Sequence, residues 1–203
     1  MLRVGLTGSI GMGKSATAAL LREAGLPVFD SDAAVHALYA PGGAAVEPVG
    51  RSFPGVVIGA AIDRTRLSEA LKADPDGFET LEAIVHPLVS AAREEFVADQ
   101  SAAGHSILVF DVPLLFETGG EKRVDAVIVV HAPEGVRRAR VLQRPGMTPA
   151  KLDAIIARQL DDSIKLERAD HVVETSGGLD DARHQVADIV EQLKKRAASD
   201  RSG

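Results

Sequence analysis

The chain has 203 residues, a formal net charge of -6 at pH 7 and no cysteine. Its length suits a single domain, its acidity argues against a general nucleic-acid-binding surface, and the lack of cysteine excludes disulfides and thiolate metal sites. Hydrophobic residues make up 45% and aromatic residues only 3%, so we expect an aliphatic core. Because no signal peptide is visible and no apolar run approaches the ~20 residues that span a bilayer, we expect a cytoplasmic protein with no membrane contact.

A phosphate-binding loop is predicted at residues 8–15, GSIGMGKS, which fit the pattern G-x-x-x-x-G-K-[ST]. Gly8 and Gly13 permit backbone angles that turn the N–H groups of the loop inward around phosphate oxygens. Lys14 is long enough to reach the β- and γ-phosphates of a nucleotide, and the Ser15 hydroxyl is a ready Mg²⁺ ligand. The pattern therefore indicates a nucleoside-triphosphate site rather than an ordinary glycine-rich turn.

The segments on either side of the loop favour the same interpretation. Residues 2–7 form a short apolar run typical of a strand, and residues 16–23 are rich in helix formers. Gly25 is placed to end that helix as its C-cap. Strand, loop and helix in this order put a helix N-terminus, which attracts anions, at the phosphate site.

Two carboxylates follow the second predicted strand, residues 26–29. Asp30 and Asp32 stand at the carboxyl end of that strand, where open α/β sheets bind ligands. Ser31 or Asp32 could instead cap the helix predicted at residues 33–39. One carboxylate of the pair is expected to cap this helix, and the sequence leaves open whether the other takes part in chemistry.

A long helical block separates the second and third strands of the predicted sheet. Residues 44–105 are predicted to be mostly helical, with helices at 66–73, 78–85 and 88–102. The dipeptide His86-Pro87 is expected to end the second of these helices. Because the block is longer than a normal crossover, we expect an inserted subdomain, at approximately 33–105, that shapes the pocket of a second substrate.

A buried strand is predicted at residues 107–111, four apolar residues followed by Asp111. Such an acid resembles the Walker-B Asp that holds Mg²⁺ through water beside a phosphate-binding loop. A solvated aspartate at a strand end is the alternative. The apolar residues 112–117 would form a pocket wall, and another strand is predicted at 124–131.

Three arginines fall on one face of the helix that Pro133 is predicted to open. Arg137, Arg140 and Arg144 are spaced i, i+3 and i+7. A solvated basic face is the general explanation for such spacing, whereas kinases place mobile arginines over the triphosphate at this point of the chain. The helix is followed by a break and a second helix, which predicts a lid at approximately 134–165.

The remaining segments complete an α/β pattern. Thr148 is predicted to cap a helix at 149–160, and the last strand is predicted at 169–174. A final amphipathic helix is predicted at 179–195, and residues 196–203 are expected to fray. Five strands separated by helices predict an open, mainly parallel sheet.

Taken together, these segments resemble the dephospho-coenzyme A kinase family. The matching stretches occur in the order of that family and cover residues 2 to about 178. Many families share the phosphate-binding loop, but the DVPLLFE and HPL stretches and the paired aspartates are far more selective in combination. The matching residues are 5–15, 28–32, 62–64, 81–88 and 111–117, with Arg140 and Arg144.

The resemblance implies a fold and a reaction. The fold would be a three-layer P-loop NTPase fold, a single domain over residues 1–203 that carries the helical insert and the lid. The family transfers the γ-phosphoryl group of ATP to the ribose 3′-hydroxyl of dephospho-coenzyme A (dephospho-CoA). Mg²⁺ would accompany ATP. We expect no nucleic acid and no obligatory protein partner, and a chain that is a monomer or a weak homo-oligomer.

The resemblance also implies roles for individual residues. Asp32 would orient the 3′-hydroxyl, Lys14 would hold the phosphates, and Arg140 would neutralise charge on the transferred group. Ser15 and Asp111 would hold the metal, with Asp30 as the other carboxylate near it. The residues implied to bind ATP are Gly8, Ser9, Gly11, Met12, Gly13, Lys14, Ser15, Ala16, Arg144 and Gly177. Those implied to bind dephospho-CoA are Thr7, Asp32, Arg64, His86, Asp111, Leu114 and Leu115.

Three departures from the family's usual residues bear on these roles, one of which is Glu174-Thr175 in place of the frequent Asp-Asn or Asp-Thr. Met12 stands where the family usually has a serine, and QLDDSIK at residues 159–165 lacks the usual proline and glutamate, so we predict no role for that stretch.

Two rival functions remain. A nucleoside-monophosphate kinase would need more arginines in the insert, whose basic residues are Arg51, Arg64, Arg66, Lys72 and Arg93. A GTPase-like switch would need an N-K-x-D motif, which the sequence lacks, and D-x-x-G spacing at the strand-end acid, whereas Asp111 is followed by Val-Pro-Leu.

Overall fold

The computed structural model describes residues 1–199 and divides into two compact units. The first unit contains Met1–Phe29 and the chain from Gln100 onward, and the second contains Asp30–Asp99. Across residues 1–199, every helix is too short or too polar to span a bilayer. The chain is still helical at Ser199, contrary to the predicted fraying from residue 196, and residues 200–203 lie outside the described residues.

The described chain contains the following strands and helices. The strands are β1 (Leu2–Thr7), β2 (Val28–Asp30), β3 (Val57–Ile58), β4 (Ala61–Ile62), β5 (Ile107–Asp111), β6 (Ala126–His131) and β7 (His171–Glu174). The helices are α1 (Lys14–Glu23), α2 (Ser31–Tyr39), α3 (Val46–Ser52), α4 (Arg64–Ala73), α5 (Gly77–Ala102), α6 (Glu134–Leu142), α7 (Pro149–Ile156), α8 (Asp162–Glu167) and α9 (Leu179–Ser199). A short 3₁₀ helix, Gly120–Arg123, precedes β6 and was not predicted.

A five-stranded sheet with the order β2-β5-β1-β6-β7 runs through the first unit. β1 pairs in parallel with β5 and with β6, and β6 pairs in parallel with β7. The predicted five-stranded, mainly parallel sheet is therefore confirmed. Because β1 lies at the centre of this sheet, the loop that follows it leaves from the middle of the carboxyl edge.

Aliphatic side chains fill the core of the first unit. All five residues of β5 are buried, as expected for a parallel strand covered on both faces. Helices α1 and α9 pack against each other and contribute to the same hydrophobic cluster as β1, β5 and β6. The apolar stripe predicted on the last helix is fully buried: Val186, Ile189, Val190 and Leu193.

The second unit has its own core and contains a β-hairpin that was not predicted. Strands β3 and β4 pair antiparallel within the segment that was predicted to be mostly helical. Gly59 and Ala60 form the turn between them with φ angles of 56° and 65°, the left-handed pair typical of a two-residue hairpin. The sequence VVIGAAI, two short apolar runs around a glycine, carried the signal for this hairpin.

Helix α5 is continuous, so the predicted break at His86-Pro87 is wrong. Pro87 lies inside the helix, where a proline costs the helix roughly 3 kcal/mol. Leu81, Ile84 and Val85 before the proline, and Leu88 after it, all pack into the hydrophobic cluster of the second unit. Apolar burial on both sides of the proline stabilises the uninterrupted helix, because tertiary packing supplies most helical stability in proteins.

The segment predicted as a lid contains three helices. Helix α6 ends at Leu142, so Arg144 lies beyond it and does not share its face. Thr148 caps α7 as predicted by accepting a hydrogen bond from the Lys151 N–H. Helix α7 ends at Ile156 rather than at residue 160, and Asp161 caps a separate helix, α8.

Candidate active site

The phosphate-binding loop is a tight turn between β1 and α1. Gly11 and Gly13 have φ angles of 79° and 96°, which favour glycine. A Cβ at position 11 would lie 2.4 Å from Cγ2 of Val141 on α6, so only glycine fits there. No side chain of the described residues caps the first N–H groups of α1. These N–H groups are therefore available to an anion.

Lys14 and Asp111 meet at the head of α1. The Lys14 ammonium donates a hydrogen bond to Oδ1 of Asp111, the last residue of β5, whose side chain is only 3% exposed. In the sheet, Asp111 is the register partner of Leu6 on β1. The structure thus brings together two residues that the sequence assigned to phosphate and metal binding. Ser15 and Ala16, the next residues of the helix, are exposed.

Ser9 and Met12 contribute differently from what the sequence suggested. The Ser9 hydroxyl donates to Asp162 Oδ1 over 2.5 Å and accepts from Lys165 Nζ over 3.0 Å, so its side chain is committed to α8. Met12 is buried, and its sulfur accepts from the Ala132 N–H over 3.1 Å. Either residue would therefore contact a nucleotide through its backbone.

The stretch 159–165 supports the loop, a role that was not predicted. Gln159 Oε1 accepts from the Ile10 N–H over 3.1 Å, next to the contacts of Ser9. Lys165 is 1% exposed and forms an ion pair of 2.8 Å with Glu117. The survival of Gln159 and Lys165 in an otherwise divergent stretch was the signal that could have identified them.

Glu117 is held as a carboxylate beside Lys165. Burial by itself would raise the pKa of Glu117, but the hydrogen bond from Lys165 and that from the Leu160 N–H outweigh burial, so the net pKa lies below its ordinary value. The second oxygen of this carboxylate, Oε2, is buried and has no hydrogen-bond partner within the described residues. The ion pair therefore places two full charges, rather than two neutral groups, under the loop.

The three arginines that were predicted to share a face have separate surroundings. Arg137 is buried and pairs with Asp162 over 2.6 Å. Arg140 donates to the side chain and the carbonyl of Thr175 over 2.8 and 2.7 Å. Arg144 is exposed. Arg140 is thus fixed near the loop by two hydrogen bonds, whereas Arg144 projects to solvent.

Thr175, which directly follows β7, has a structural role that the sequence did not indicate. Its hydroxyl donates to the Met12 carbonyl over 2.7 Å and accepts from Arg140. A Cβ at Gly13 would lie 3.2 Å from the same hydroxyl oxygen. Thr175 therefore joins the loop to α6. Gly177, two residues later, is exposed.

Three residues predicted to bind the acceptor differ in accessibility within the first unit. Thr7 is fully buried and donates to the Pro113 carbonyl over 3.2 Å. Leu115 is 2% exposed and belongs to a hydrophobic cluster, and Leu114 is 41% exposed. Burial of Thr7 and Leu115 argues against ligand contact through their side chains, and Leu114 is the accessible residue of this group.

An open depression of about 440 Å³ lies on the second unit and is lined by Asp32 and Arg64. Its walls also include Ala33, Val35 and His36. The Arg64 guanidinium carbon lies 5.8 Å from the centre of the Tyr39 ring, a cation–π distance. His86 is exposed on α5 and does not line this depression. Two of the predicted acceptor residues, distant in sequence, thus share one surface.

Asp30 caps the helix that carries Asp32. The alternative prediction, a cap formed by Ser31 or Asp32, is wrong. The Asp30 side chain accepts from the Ala33 N–H over 2.9 Å, and α2 starts at Ser31. Asp32 lies in the first turn of the helix and is exposed. One carboxylate of the pair therefore has a structural function, and the other is left accessible.

The central strand of the parallel sheet leads into this loop and helix, and the carboxylate of Asp111 at the end of β5 pairs with the lysine of the loop. This arrangement defines the P-loop class of nucleoside-triphosphate-binding proteins. The model of the dephospho-CoA kinase family matches residues 2–181. The chain belongs to the dephospho-CoA kinase family.

Individual relatives agree with this assignment. A dephospho-CoA kinase of Rhodopseudomonas palustris is 52% identical over 195 residues, which cover 96% of this chain and 97% of the relative. The crystal structure of TT1252 from Thermus thermophilus is 35% identical, with a TM-score of 0.77 over 95% of this chain and 97% of the other. The dephospho-CoA kinase from Campylobacter jejuni, at 22% identity and a TM-score of 0.70 over 95% of this chain and 97% of the other, shares the fold.

Proposed function

We propose that this chain transfers the γ-phosphoryl group of ATP to the ribose 3′-hydroxyl of dephospho-CoA, which yields coenzyme A and ADP in the last step of coenzyme A biosynthesis. The observation that carries the proposal is the family match over residues 2–181, which includes the complete phosphate-binding loop. Phosphoryl transfer needs little covalent chemistry from the protein, so catalysis rests on positioning and on electrostatic stabilisation.

The phosphate end of the reaction is assigned to α1 and the loop before it. The free N–H groups at the start of α1 would donate to phosphate oxygens, and Lys14 would move from Asp111 to the β- and γ-phosphates. Ser15 and Asp111 offer the hard oxygen atoms that Mg²⁺ prefers. Among residues 1–199 no three His, Cys, Asp or Glu side chains gather into a metal site, which fits an ion held largely by phosphates and water. Held by Ser15 and Asp111, such an ion would supply positive charge that neutralises the charge of the phosphates.

The acceptor end is assigned to the depression on the second unit. Asp32 would accept a hydrogen bond from the 3′-hydroxyl and take its proton as the new O–P bond forms, while the bond from the γ-phosphorus to the bridging oxygen of ADP breaks. Arg64, on the same surface, would bind an anionic group of dephospho-CoA. His86 and Leu114, both exposed, are assigned to the rest of this substrate. Arg140 would stabilise the charge of the transferred group.

A coupled assay of ADP release tests the proposal. Purified protein with Mg-ATP should release ADP only when dephospho-CoA is present, and mass spectrometry should detect coenzyme A as the product. Activity of the purified chain alone would also show that no protein partner is obligatory. The matched blank is ATP without acceptor, which measures hydrolysis by water.

Other acceptors decide between this function and its nearest rival. AMP, CMP and shikimate in place of dephospho-CoA should give ADP release no faster than the blank. Turnover with any of these acceptors, and none with dephospho-CoA, would identify a different small-molecule kinase on the same fold.

A further inference from the structure

A cluster of charged and amide side chains, some buried and some half-buried, lies against the start of the phosphate-binding loop. We call it the support cluster, and it consists of Glu117, Arg137, Gln159, Asp162 and Lys165. Lys165 has a side chain only 1% exposed, and Arg137 is also buried. Removing such charges from water is costly unless each one is paired. Both are paired, Lys165 with Glu117 and Arg137 with Asp162.

The support cluster contacts the loop at two successive residues. Both hydrogen-bonding roles of the Ser9 hydroxyl are used, since it donates to Asp162 and accepts from Lys165. The N–H of Ile10 donates to Gln159. The side chain of one residue and the backbone of the next are therefore fixed from one side.

The members of the support cluster come from three separate parts of the first unit. Glu117 follows β5, Arg137 belongs to α6, and Gln159, Asp162 and Lys165 come from the stretch that includes α8. Each ion pair joins two of these parts, and the two pairs meet at the Ser9 hydroxyl. The start of the loop is thus tied to three segments, while Lys14 pairs with Asp111, which is outside the cluster.

We propose that Lys165 and Asp162 are positioning residues of this kinase, which hold Ser9 so that the N–H groups that follow it converge on the nucleotide phosphates. This inference rests on the proposed function only in that the loop binds ATP. The residues do not touch the reacting atoms and act through Ser9. Displacements on the order of 1 Å in a positioning element cost up to ~10²-fold in rate, so a support of this kind bears directly on catalysis.

The test is a double-mutant cycle between the cluster and Ser9. The first variant is Glu117→Gln with Lys165→Met, which removes both charges together, so that neither is left buried and unpaired, and keeps an acceptor for the Leu160 N–H. The second variant is Ser9→Ala, and the third combines all three substitutions. Calorimetry measures the Kd for ADP, and steady-state kinetics measure kcat and the two KM values.

The charge-removing variant should weaken ADP binding about tenfold, which corresponds to about 1.4 kcal/mol. Its kcat should fall by up to ~10²-fold, while KM for dephospho-CoA stays within about twofold of wild type. In the Ser9→Ala background the same pair of substitutions should change ADP binding less than about threefold, because the contact is already absent. A general loss of packing would produce no such coupling to Ser9.

The control is Asp153→Asn, which breaks the Arg138–Asp153 ion pair between α6 and α7. This variant should leave ADP affinity and kcat unchanged. The proposal would be overturned if Glu117→Gln with Lys165→Met lowered ADP affinity equally with and without the Ser9 hydroxyl. It would also be overturned if Asp153→Asn lowered ADP affinity as much as that pair of substitutions does. Ser9→Ala changes no charge, so unchanged ADP binding in that variant would also overturn it, even if the charge-removing variant failed to fold. ADP binding needs no acceptor, so these results stand whether or not dephospho-CoA is the substrate.

Discussion

The phosphate-binding loop and the acceptor depression are built in opposite ways. Around the loop, side chains such as Ser9 and Thr175 are buried and bonded to partners more than 100 residues away in sequence. Around the depression, Asp32 and Arg64 are exposed on helices of the second unit. From this difference we expect that a substitution at the loop lowers both stability and activity, whereas a substitution at the depression can lower activity and leave stability unchanged. Substitutions in the two regions should therefore differ in what they cost.

The largest effect is expected at Arg140. Arg140→Ala should lower kcat on the order of 10³-fold if the guanidinium stabilises the transferred group as an arginine finger does. It should also destabilise the fold by about 1 kcal/mol, because two hydrogen bonds to Thr175 are lost. Kinetics and urea unfolding measure the two quantities.

Arg138→Ala on the same helix is the control, since Arg138 pairs with Asp153 and not with Thr175. It should leave kcat unchanged. If Arg140→Ala changes only KM for ATP, Arg140 is a simple binding residue. The expectation that a loop substitution lowers both stability and kcat would then be wrong at this position.

The next effect, at Asp32, tests the other side of the comparison. Asp32→Asn should lower kcat by about 10²-fold, because the amide cannot take the proton of the 3′-hydroxyl. ATP affinity should be unchanged, and the free energy of unfolding should stay within about 0.5 kcal/mol, because the side chain is exposed.

Glu47→Gln provides a matched removal of an exposed carboxylate in the same unit, since Glu47 is exposed and pairs with Arg51 one helical turn away. Near-normal turnover of Asp32→Asn would reduce Asp32 to an ordinary residue of the first turn of α2.

A smaller effect is expected at Arg64. Arg64→Ala should raise KM for dephospho-CoA about tenfold, which corresponds to the loss of one charge-assisted contact. Little change in kcat or stability is expected. Arg66→Ala, on the same exposed helix but outside the depression, should leave KM unchanged. Equal effects of the two variants would mean that the depression does not select this substrate.

The smallest effect appears only in acid and concerns the support cluster. The folded-state pKa of Glu117 lies below its ordinary value of 4.5, so the unfolded chain binds this proton more readily than the folded chain. The stability that comes from the Glu117 carboxylate is therefore present above that value and is lost as pH falls through the folded-state pKa. Urea unfolding at pH values below 4.5 should show a steeper loss of unfolding free energy in the wild type than in Glu117→Gln. If the free energy of unfolding fell with pH equally in the wild type and in Glu117→Gln, this expectation would be wrong.

Local patterns explain which parts of the molecule could be predicted. The loop motif, the apolar run of β5 and the stripe of α9 depend on residues close together in sequence, and all three form as expected. The selective stretches gave the family, and Asp32 and Arg64 do share one surface.

Contacts between distant residues explain most of what was missed. Nothing near Thr175 or Asp162 in the sequence indicates that their partners are Met12 and Ser9. The spacing of Arg137 and Arg140 predicted a shared face, but their different acceptors, Asp162 and Thr175, separate their roles. At Pro87, apolar packing on both sides of the proline outweighed the helix-breaking effect of the proline. Neighbouring residues in the sequence could not predict this, because the packing is tertiary.

The turn of the β3–β4 hairpin has a consequence for protein engineering. Among residues 1–199, Ala60 is the one non-glycine residue with a positive φ, 65°. An alanine in this left-handed conformation carries a strain of roughly 1–2 kcal/mol, whereas asparagine tolerates it. The single substitution Ala60→Asn should therefore give a more heat-resistant enzyme for crystallisation or biocatalysis. It alters none of the residues assigned to ATP or dephospho-CoA.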